Sequence, residues 1–254
     1  MKKKVIGIVG GVGPYAGLDL NTKIFDNTVS GKDQEHLEVY LLSRSPQIED
    51  RTEFLLDSQL PNPAEGLFET IVKLEQLGAE IVGIPCNTAH SLKIFQPLRE
   101  KIAQASLKIK LLHLIEETYH ELQRQFPTII KVGLLSTKGT YVSGVYSQVL
   151  EREQKYQVLI PSEMQQDEVH QAIYHPDFGI KAYSNPVTKP AIETLTRVSN
   201  DLIAAGAEAI IMGCTEIPLA LKPKTLPVPL IDPTNILARA LVSQAAPEQL
   251  LPYT

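Results

Sequence analysis

Two segments of this chain, 128 residues apart, carry the same punctuation, and that repeat limits the possible folds more than any other feature. Gly78-Ala79-Glu80, an apolar stretch and Cys86-Asn87-Thr88 are echoed by Gly206-Ala207-Glu208, an apolar stretch and Cys214-Thr215-Glu216. A second pair agrees. Ile6-Gly7-Ile8-Val9, running to Gly13, is matched 126 residues later by Val132-Gly133-Leu134-Leu135, running to Gly139. Two copies of so long a period are too few for a solenoid and indicate duplication of a whole folding unit.

Within each copy, short β-branched runs alternate with longer amphipathic ones. Val5–Val9 reads as a buried strand, and Gly10-Gly11-Val12-Gly13-Pro14 as the turn after it. Residues 62–78 carry full helix punctuation. Asn62 is the expected N-cap with Pro63 at N1 and Glu65 three after the cap; Leu67, Ile71 and Leu74 form one stripe, and Gly78 is the stop. A strand over Ile81–Ile84 follows. Alternation of this kind predicts βαβ units, hence an α/β fold of two similar lobes with mainly parallel sheets, related by pseudo-two-fold symmetry, with an active site in the cleft they form. A strand within Leu226–Pro233 and a helix over Ile236–Leu241 follow the second copy, and that helix packs only by returning to the first lobe. The expected division is therefore 1–113 with 232–254 for the first lobe and 114–231 for the second.

Composition narrows the function classes. The chain has 254 residues, 43% apolar and 21% charged, which is a globular balance that needs no disulfide or structural metal. Lys+Arg 24 against Asp+Glu 29 gives a net charge of −5, so no basic surplus exists to displace phosphate counterions, and nucleic acid is not an expected partner. No apolar run approaches the ~20 residues of a membrane span. Met1-Lys2-Lys3-Lys4 leads directly into a strand-like stretch without a small-residue cleavage site, which argues against a signal peptide. Two cysteines so far apart fit a cytoplasmic protein that keeps both as thiols.

In both copies the cysteine ends a strand and precedes a helix. Ligands of parallel α/β sheets bind at the carboxyl ends of strands, and a helix N-terminus favours the thiolate and lowers a cysteine's pKa. The expected symmetry places the two sulfurs on opposite sides of a small substrate, an arrangement suited to removing a proton from one face of a carbon and delivering one to the other. Most free cysteines are simply small buried hydrophobes, but matched positions in two repeats weigh against that here. A zinc site is poorly supported: Cys86 and His90 could share a helix face, yet no CxxC or HxxxH completes a set. His36, His113, His120, His170 and His175 show no cluster spacing and read as surface or capping groups. The turn Gly11-Val12-Gly13-Pro14-Tyr15-Ala16-Gly17 resembles a dinucleotide fingerprint, with Arg44 after the next strand as a partner for a 2′-phosphate. Its last spacing is one residue too long, however, and Pro14 removes an N–H. The milder reading is that these amides help to bind a carboxylate.

Four motifs together resemble the aspartate/glutamate racemase family, closest to its aspartate racemase branch. They are Gly10-Gly11-x-Gly13-Pro14, Ser45-Pro46-Gln47-Ile48-x-Asp50-Arg51-Thr52, Pro85-Cys86-Asn87-Thr88-Ala89-His90 and Gly213-Cys214-Thr215-Glu216-Ile217-Pro218-Leu219. The resemblance extends over nearly the whole chain. It implies a cofactor-independent racemase that interconverts L- and D-aspartate, or glutamate, with Cys86 and Cys214 as the catalytic acid and base. It also implies that Arg51, with Thr52 beside it, binds a substrate carboxylate, and that Asn87, Thr88 and Ala89 form the substrate-facing turn. Lys181 would hold the side-chain carboxylate, and Thr140 and Thr215 match further polar residues. No metal is implied, the partner is a small acidic amino acid, and a homodimer is the family expectation. Val12, Arg44-Ser45 and Glu49 stand where the family often has Met, Asn-Asn and Pro, and the second departure bears on substrate choice.

Mechanistically, the resemblance implies a two-base 1,1-proton transfer at Cα, with one cysteine a thiolate and the other a thiol. Backbone amides and Arg51 would stabilise the carbanion in place of an electron sink. The competing readings are a hydantoin racemase, maleate isomerase or arylmalonate decarboxylase of the same superfamily, an NADP-dependent oxidoreductase, and a non-catalytic amino-acid-binding module.

Overall fold

The computed structural model describes residues 3–253, so Met1 and Lys2 of the basic N-terminus lie outside the described residues. The chain divides into two compact units, Met1–Glu117 with Thr234–Thr254, and Thr118–Pro233.

The first unit begins β1 (Ile6–Gly10), α1 (Pro14–Asp26), β2 (Val39–Ser43), α2 (Arg51–Leu56) and α3 (Ala64–Gln76). It continues with β3 (Ile81–Gly83), α4 (Leu92–Gln104), β4 (Lys110–Leu111) and the start of α5 (Leu114–Gln125). Its four strands form one parallel sheet in the order β2-β1-β3-β4, with Ile6 opposite both Val39 and Ile81. Every residue of β1 and β3 is buried, as expected of parallel strands covered on both faces. On α3, Leu67, Ile71 and Leu74 join Val9, Val82, Ile84, Ile94 and Leu98 in the core, so the stripe read from sequence is the packing face.

The second unit carries β5 (Lys131–Ser136), α6 (Lys138–Ser143), α7 (Val145–Leu150), β6 (Gln157–Leu159), α8 (Glu163–Tyr174) and α9 (Lys189–Ala204). After these come β7 (Ala209–Gly213), α10 (Ile217–Ala220) and β8 (Leu230–Ile231). Its sheet is also parallel and four-stranded, in the equivalent order β6-β5-β7-β8. Val169, Ile173, Leu195, Val198, Ile210 and Met212 lie at the centre of its core. The chain then runs into α11 (Pro233–Ala245), longer at both ends than the hydrophobic spacing alone suggested.

The repeated Gly-Ala-Glu triplets have one physical cause. Gly78 ends α3 at φ 102° and Gly206 ends α9 at φ 101°. In both places the glycine N–H reaches back three residues (Gly78 to Glu75 O, 2.8 Å; Gly206 to Ile203 O, 2.9 Å), and the next alanine N–H reaches back five (Ala79 to Leu74 O, Ala207 to Leu202 O, both 3.0 Å). This is the left-handed helix stop that favours glycine, and it turns the chain directly into β3 and β7. At the other end of α3, Asn62 Oδ1 accepts the Ala64 N–H at 2.9 Å, so the asparagine caps although the regular helix starts at Ala64. The strand expected within Leu226–Pro233 shrinks to Leu230–Ile231. Pro227 and Pro229 have no N–H to give a ladder, although the Pro229 carbonyl accepts from Ile210 at 3.0 Å.

Candidate active site

In each sheet a cysteine follows the third strand in spatial order. Cys86 lies three residues past the end of β3 and Cys214 directly after β7; each is 7% exposed and a free thiol. Each also packs with its unit's core, Cys86 beside Ile84 and Ala89, Cys214 beside Met212 and Ile217.

Around Cys86 the chain makes a tight, buried loop. The Cys86 N–H turns back to Ile84 O at 2.8 Å, and a single 3-10 turn over Thr88–His90 follows before α4. The N–H groups of His90 and Ser91 close this turn on Asn87 O and Thr88 O, both at 3.1 Å. His90, which the sequence reading weighed only as a zinc ligand, is the keystone of the loop: its Nδ1 lies 3.0 Å from the Cys86 carbonyl, to which it donates. The imidazole is 1% exposed, stacks on Phe95 at 5.0 Å and meets His113 edge-on at 4.7 Å. Burial, aided by His113, holds its pKa well below the usual histidine value, so it is neutral. His113 is lowered by burial too, and its Nδ1 accepts the Glu116 N–H at 3.2 Å, a cap at the start of α5. Among the described residues no group of three or more His, Cys, Asp and Glu side chains is arranged to hold a metal ion.

The helix α2 packs against the Thr88–His90 turn and brings Arg51 and Thr52 with it. Asp50 caps α2 by accepting the Thr52 and Glu53 N–H groups at 2.7 and 3.0 Å. Arg51 is 7% exposed, and its guanidinium donates to Glu49 O and Val12 O, each at 3.0 Å, so it also ties α2 to the glycine-rich turn. That turn has its own steric reason. Gly11 has φ +85°, and a Cβ there would lie 2.5 Å from Ser45 N and 2.7 Å from Arg44 N. The glycine therefore allows one backbone to press against another, and no pyrophosphate is needed to explain it. Arg44, read from sequence as a 2′-phosphate partner, is already engaged: its guanidinium meets Glu69 at 3.2 Å and the Thr70 hydroxyl at 3.3 Å on α3.

Around Cys214 the structure corrects one expectation. The helix after this cysteine is only the four residues of α10, and the thiol is not made more acidic. Burial pushes its pKa well above the ordinary cysteine value, and the Glu216 carboxylate adds to the rise. Cys214 Sγ donates to Glu216 Oε2 at 2.9 Å, and the Thr215 hydroxyl reaches the same oxygen at 3.3 Å. Lys181 Nζ stands 2.9 Å from the other oxygen, Oε1, and 5.0 Å above the Tyr174 ring. Lys181 itself is held on the turn after α8, where its N–H donates to Ile173 O at 3.0 Å. Burial alone would lower the Lys181 pKa and raise that of Glu216, but the ion pair outweighs it: the lysine is raised and the carboxyl lowered. Lys181, Cys214 and Thr215 are thus joined through one side chain that the sequence reading quoted in its motif but assigned no role. Thr140, on α6, is 1% exposed and its hydroxyl meets that of Thr137 at 3.4 Å.

Comparison with known proteins identifies the family of the chain. Residues 9–241 match the Asp/Glu/Hydantoin racemase family. The chain is 27% identical to the broad-specificity amino-acid racemase of Bacillus subtilis over 247 residues, 94% of this chain and 97% of that one. Among solved structures it is similar to the aspartate racemase of Picrophilus torridus, with 31% identity, a TM-score of 0.82, and 98% and 96% of the two chains covered. It is also similar to an aspartate racemase homologue from Pyrococcus horikoshii, with 25% identity, a TM-score of 0.72, and 97% and 100% covered. A glutamate racemase of Bacillus anthracis shares the fold at 16% identity and a TM-score of 0.67. With its two four-stranded parallel sheets and a family match across nearly its whole length, the chain belongs to the Asp/Glu/Hydantoin racemase family and is an isomerase.

Proposed function

We propose that this protein is a cofactor-independent racemase of acidic amino acids, interconverting L- and D-aspartate, and glutamate as the alternative, by a 1,1-proton transfer. Cys86 and Cys214 act on opposite faces of the same α-carbon, one as thiolate base and the other as thiol acid. The observation that carries this reading is the equivalence of the two thiols: each follows the third strand of a sheet with the same strand order, at the carboxyl end where parallel sheets bind ligands. Arg51 and Thr52, beside the Cys86 loop, bind the α-carboxylate, and Asn87, Thr88 and Ala89 shape the substrate-facing turn. Lys181 takes the side-chain carboxylate, with Thr140 and Thr215 as polar neighbours. Charge developing at Cα is balanced by Arg51 and backbone N–H groups in place of an electron sink. Both cysteines are free, which suits a reducing, cytoplasmic setting. No helix among the described residues is long and apolar enough to cross a membrane. The working unit we expect is a homodimer, checked by light scattering.

The test is direct. Without pyridoxal phosphate and with a reductant present, the protein should equilibrate L- and D-aspartate and wash solvent deuterium into Cα. Cys86→Ser and Cys214→Ser should each abolish racemisation; unchanged turnover in the double variant overturns the mechanism. Because one similar protein is a broad-specificity amino-acid racemase, the substrate panel should include glutamate and alanine.

A further inference from the structure

One buried carboxylate touches both the Cys214 thiol and the Lys181 ammonium. Glu216 is 4% exposed at its side chain; one oxygen accepts from Lys181 and the other from Cys214, each at 2.9 Å. A catalytic thiol in a racemase must give up its proton when it serves as the base. Burial beside a carboxylate opposes that, so the site needs a means of lifting the opposition once substrate is bound. Lys181 is 25% exposed at its side chain, far more than Glu216, so a carboxylate arriving from solvent meets the ammonium before the glutamate.

We propose that Glu216 is a positioning residue that couples capture of a substrate side-chain carboxylate by Lys181 to release of the Cys214 proton. This deepens the racemase reading above and rests on it. In the resting arrangement Lys181 holds Glu216 as an anion and Cys214 keeps its proton. When the ammonium turns to the substrate, Glu216 loses its cation and the proton affinity of Oε2 rises. The Cys214 S–H bond then breaks, an O–H bond forms on Oε2, and sulfur keeps the electron pair as thiolate. The pair carries one negative charge before and after the transfer. The thiolate is then free to take the α-proton, and the return of Lys181 to Glu216 reverses the sequence on product release. The other titratable groups facing this network are Tyr174, whose ring lies beneath Lys181, and two phenols near Cys214, those of Tyr141 and Tyr146, which burial keeps protonated. A substrate without a side-chain carboxylate leaves Lys181 on Glu216 and the thiol protonated. Discrimination against alanine should therefore appear in kcat as well as in KM.

The experiment supplies the substrate in pieces. Cα deuterium exchange of aspartate, of alanine, and of alanine with added formate is followed for the wild type, Glu216→Gln and Glu216→Asp. Formate should stimulate alanine exchange in the wild type, because it takes the place of the missing carboxylate on Lys181. In Glu216→Gln, which cannot accept the proton, kcat for aspartate should fall by about a hundredfold, the scale of one general acid–base group, towards that of alanine. KM for aspartate should not rise, and formate should have no effect. Glu216→Asp should restore part of the aspartate preference and of the wild-type pH profile. If the glutamine variant does not fold, the formate response of the wild type and the aspartate variant decides. No formate response, or an unaltered aspartate-to-alanine kcat ratio in Glu216→Gln, overturns the coupling while leaving the racemase reading intact. A wild type inert towards every amino acid removes both.

Discussion

Replacing Lys181 by Met keeps the aliphatic stem and removes only the charge, leaving the Glu216 carboxylate 4% exposed with no ammonium at 2.9 Å. Two unit charges ~4 Å apart interact by about 4 kcal/mol at an effective dielectric of about 20. Breaking a buried pair from one side costs about 3–5 kcal/mol. Because Lys181 is a quarter exposed, water reaches one side of the pair, and we expect a loss at or just below the lower end of that range, about 2–3 kcal/mol. The opposite cut should cost less, since in Glu216→Gln the orphaned ammonium turns to solvent. The double variant, Lys181→Met with Glu216→Gln, should lie within about 1 kcal/mol of wild type, because a neutral pair of similar volume has no charge to desolvate. The pH dependence has a definite sign. In the wild type Glu216 is depressed by Lys181 and the Cys214 thiol, so its contribution is present above the unfolded carboxyl value and lost as pH falls through the folded one. Without the lysine, burial raises the carboxyl, and the deficit of Lys181→Met should grow as pH rises through its new folded value and shrink on the acid side. Urea unfolding of the four proteins at pH 7.5 and pH 5 measures all of this as a double-mutant cycle. A loss below about 0.5 kcal/mol in Lys181→Met, or a double variant as unstable as that single one, would refute the reasoning.

Two further outcomes follow from the first unit. Asp50→Ala removes the α2 cap and should cost about 1 kcal/mol of stability while raising KM for aspartate, because Arg51 is the first residue of that helix; Asp50→Asn should restore both. Stability curves and KM values for the pair check this, and an alanine variant with wild-type KM would separate Arg51 placement from the cap. His90 is neutral in the fold and protonates when unfolded, so its contribution is lost as pH falls below the unfolded histidine value of ~6.5. His90→Phe should flatten the decline in stability between pH 6.5 and pH 5 by up to about 1.4 kcal/mol per pH unit, read by urea titration. An undiminished slope in the variant would assign the decline to other groups.

What the sequence made legible is what neighbouring residues decide among themselves. The Gly78 and Gly206 stops, the Asn62 cap and the Leu67-Ile71-Leu74 stripe each act within about one or two helical turns, so the two parallel sheets could be read from punctuation and period. Prolines 227 and 229 were equally visible, but the strand expectation passed over their missing N–H groups, and β8 is accordingly shorter. The chemistry at Cys214 was read in the wrong direction. A helix N-terminus was expected to favour the thiolate, yet α10 is one turn long and the Glu216 carboxylate lies against the sulfur. His90 was visible four residues after Cys86, but nothing local says that its ring would fold back onto the carbonyl and be covered by Phe95 and His113.

The sequence by itself therefore determined the alternation of strands and helices, the duplication and the positions of two thiols at matching ends of strands. Only the tertiary structure decided which charges meet: Arg44 with Glu69, Arg51 with the carbonyls of Val12 and Glu49, and Lys181 with a glutamate 35 residues away. Caps and periodicity are settled by backbone geometry within a few residues. An ion pair depends on which distant surfaces the core brings together, and on how completely water leaves them.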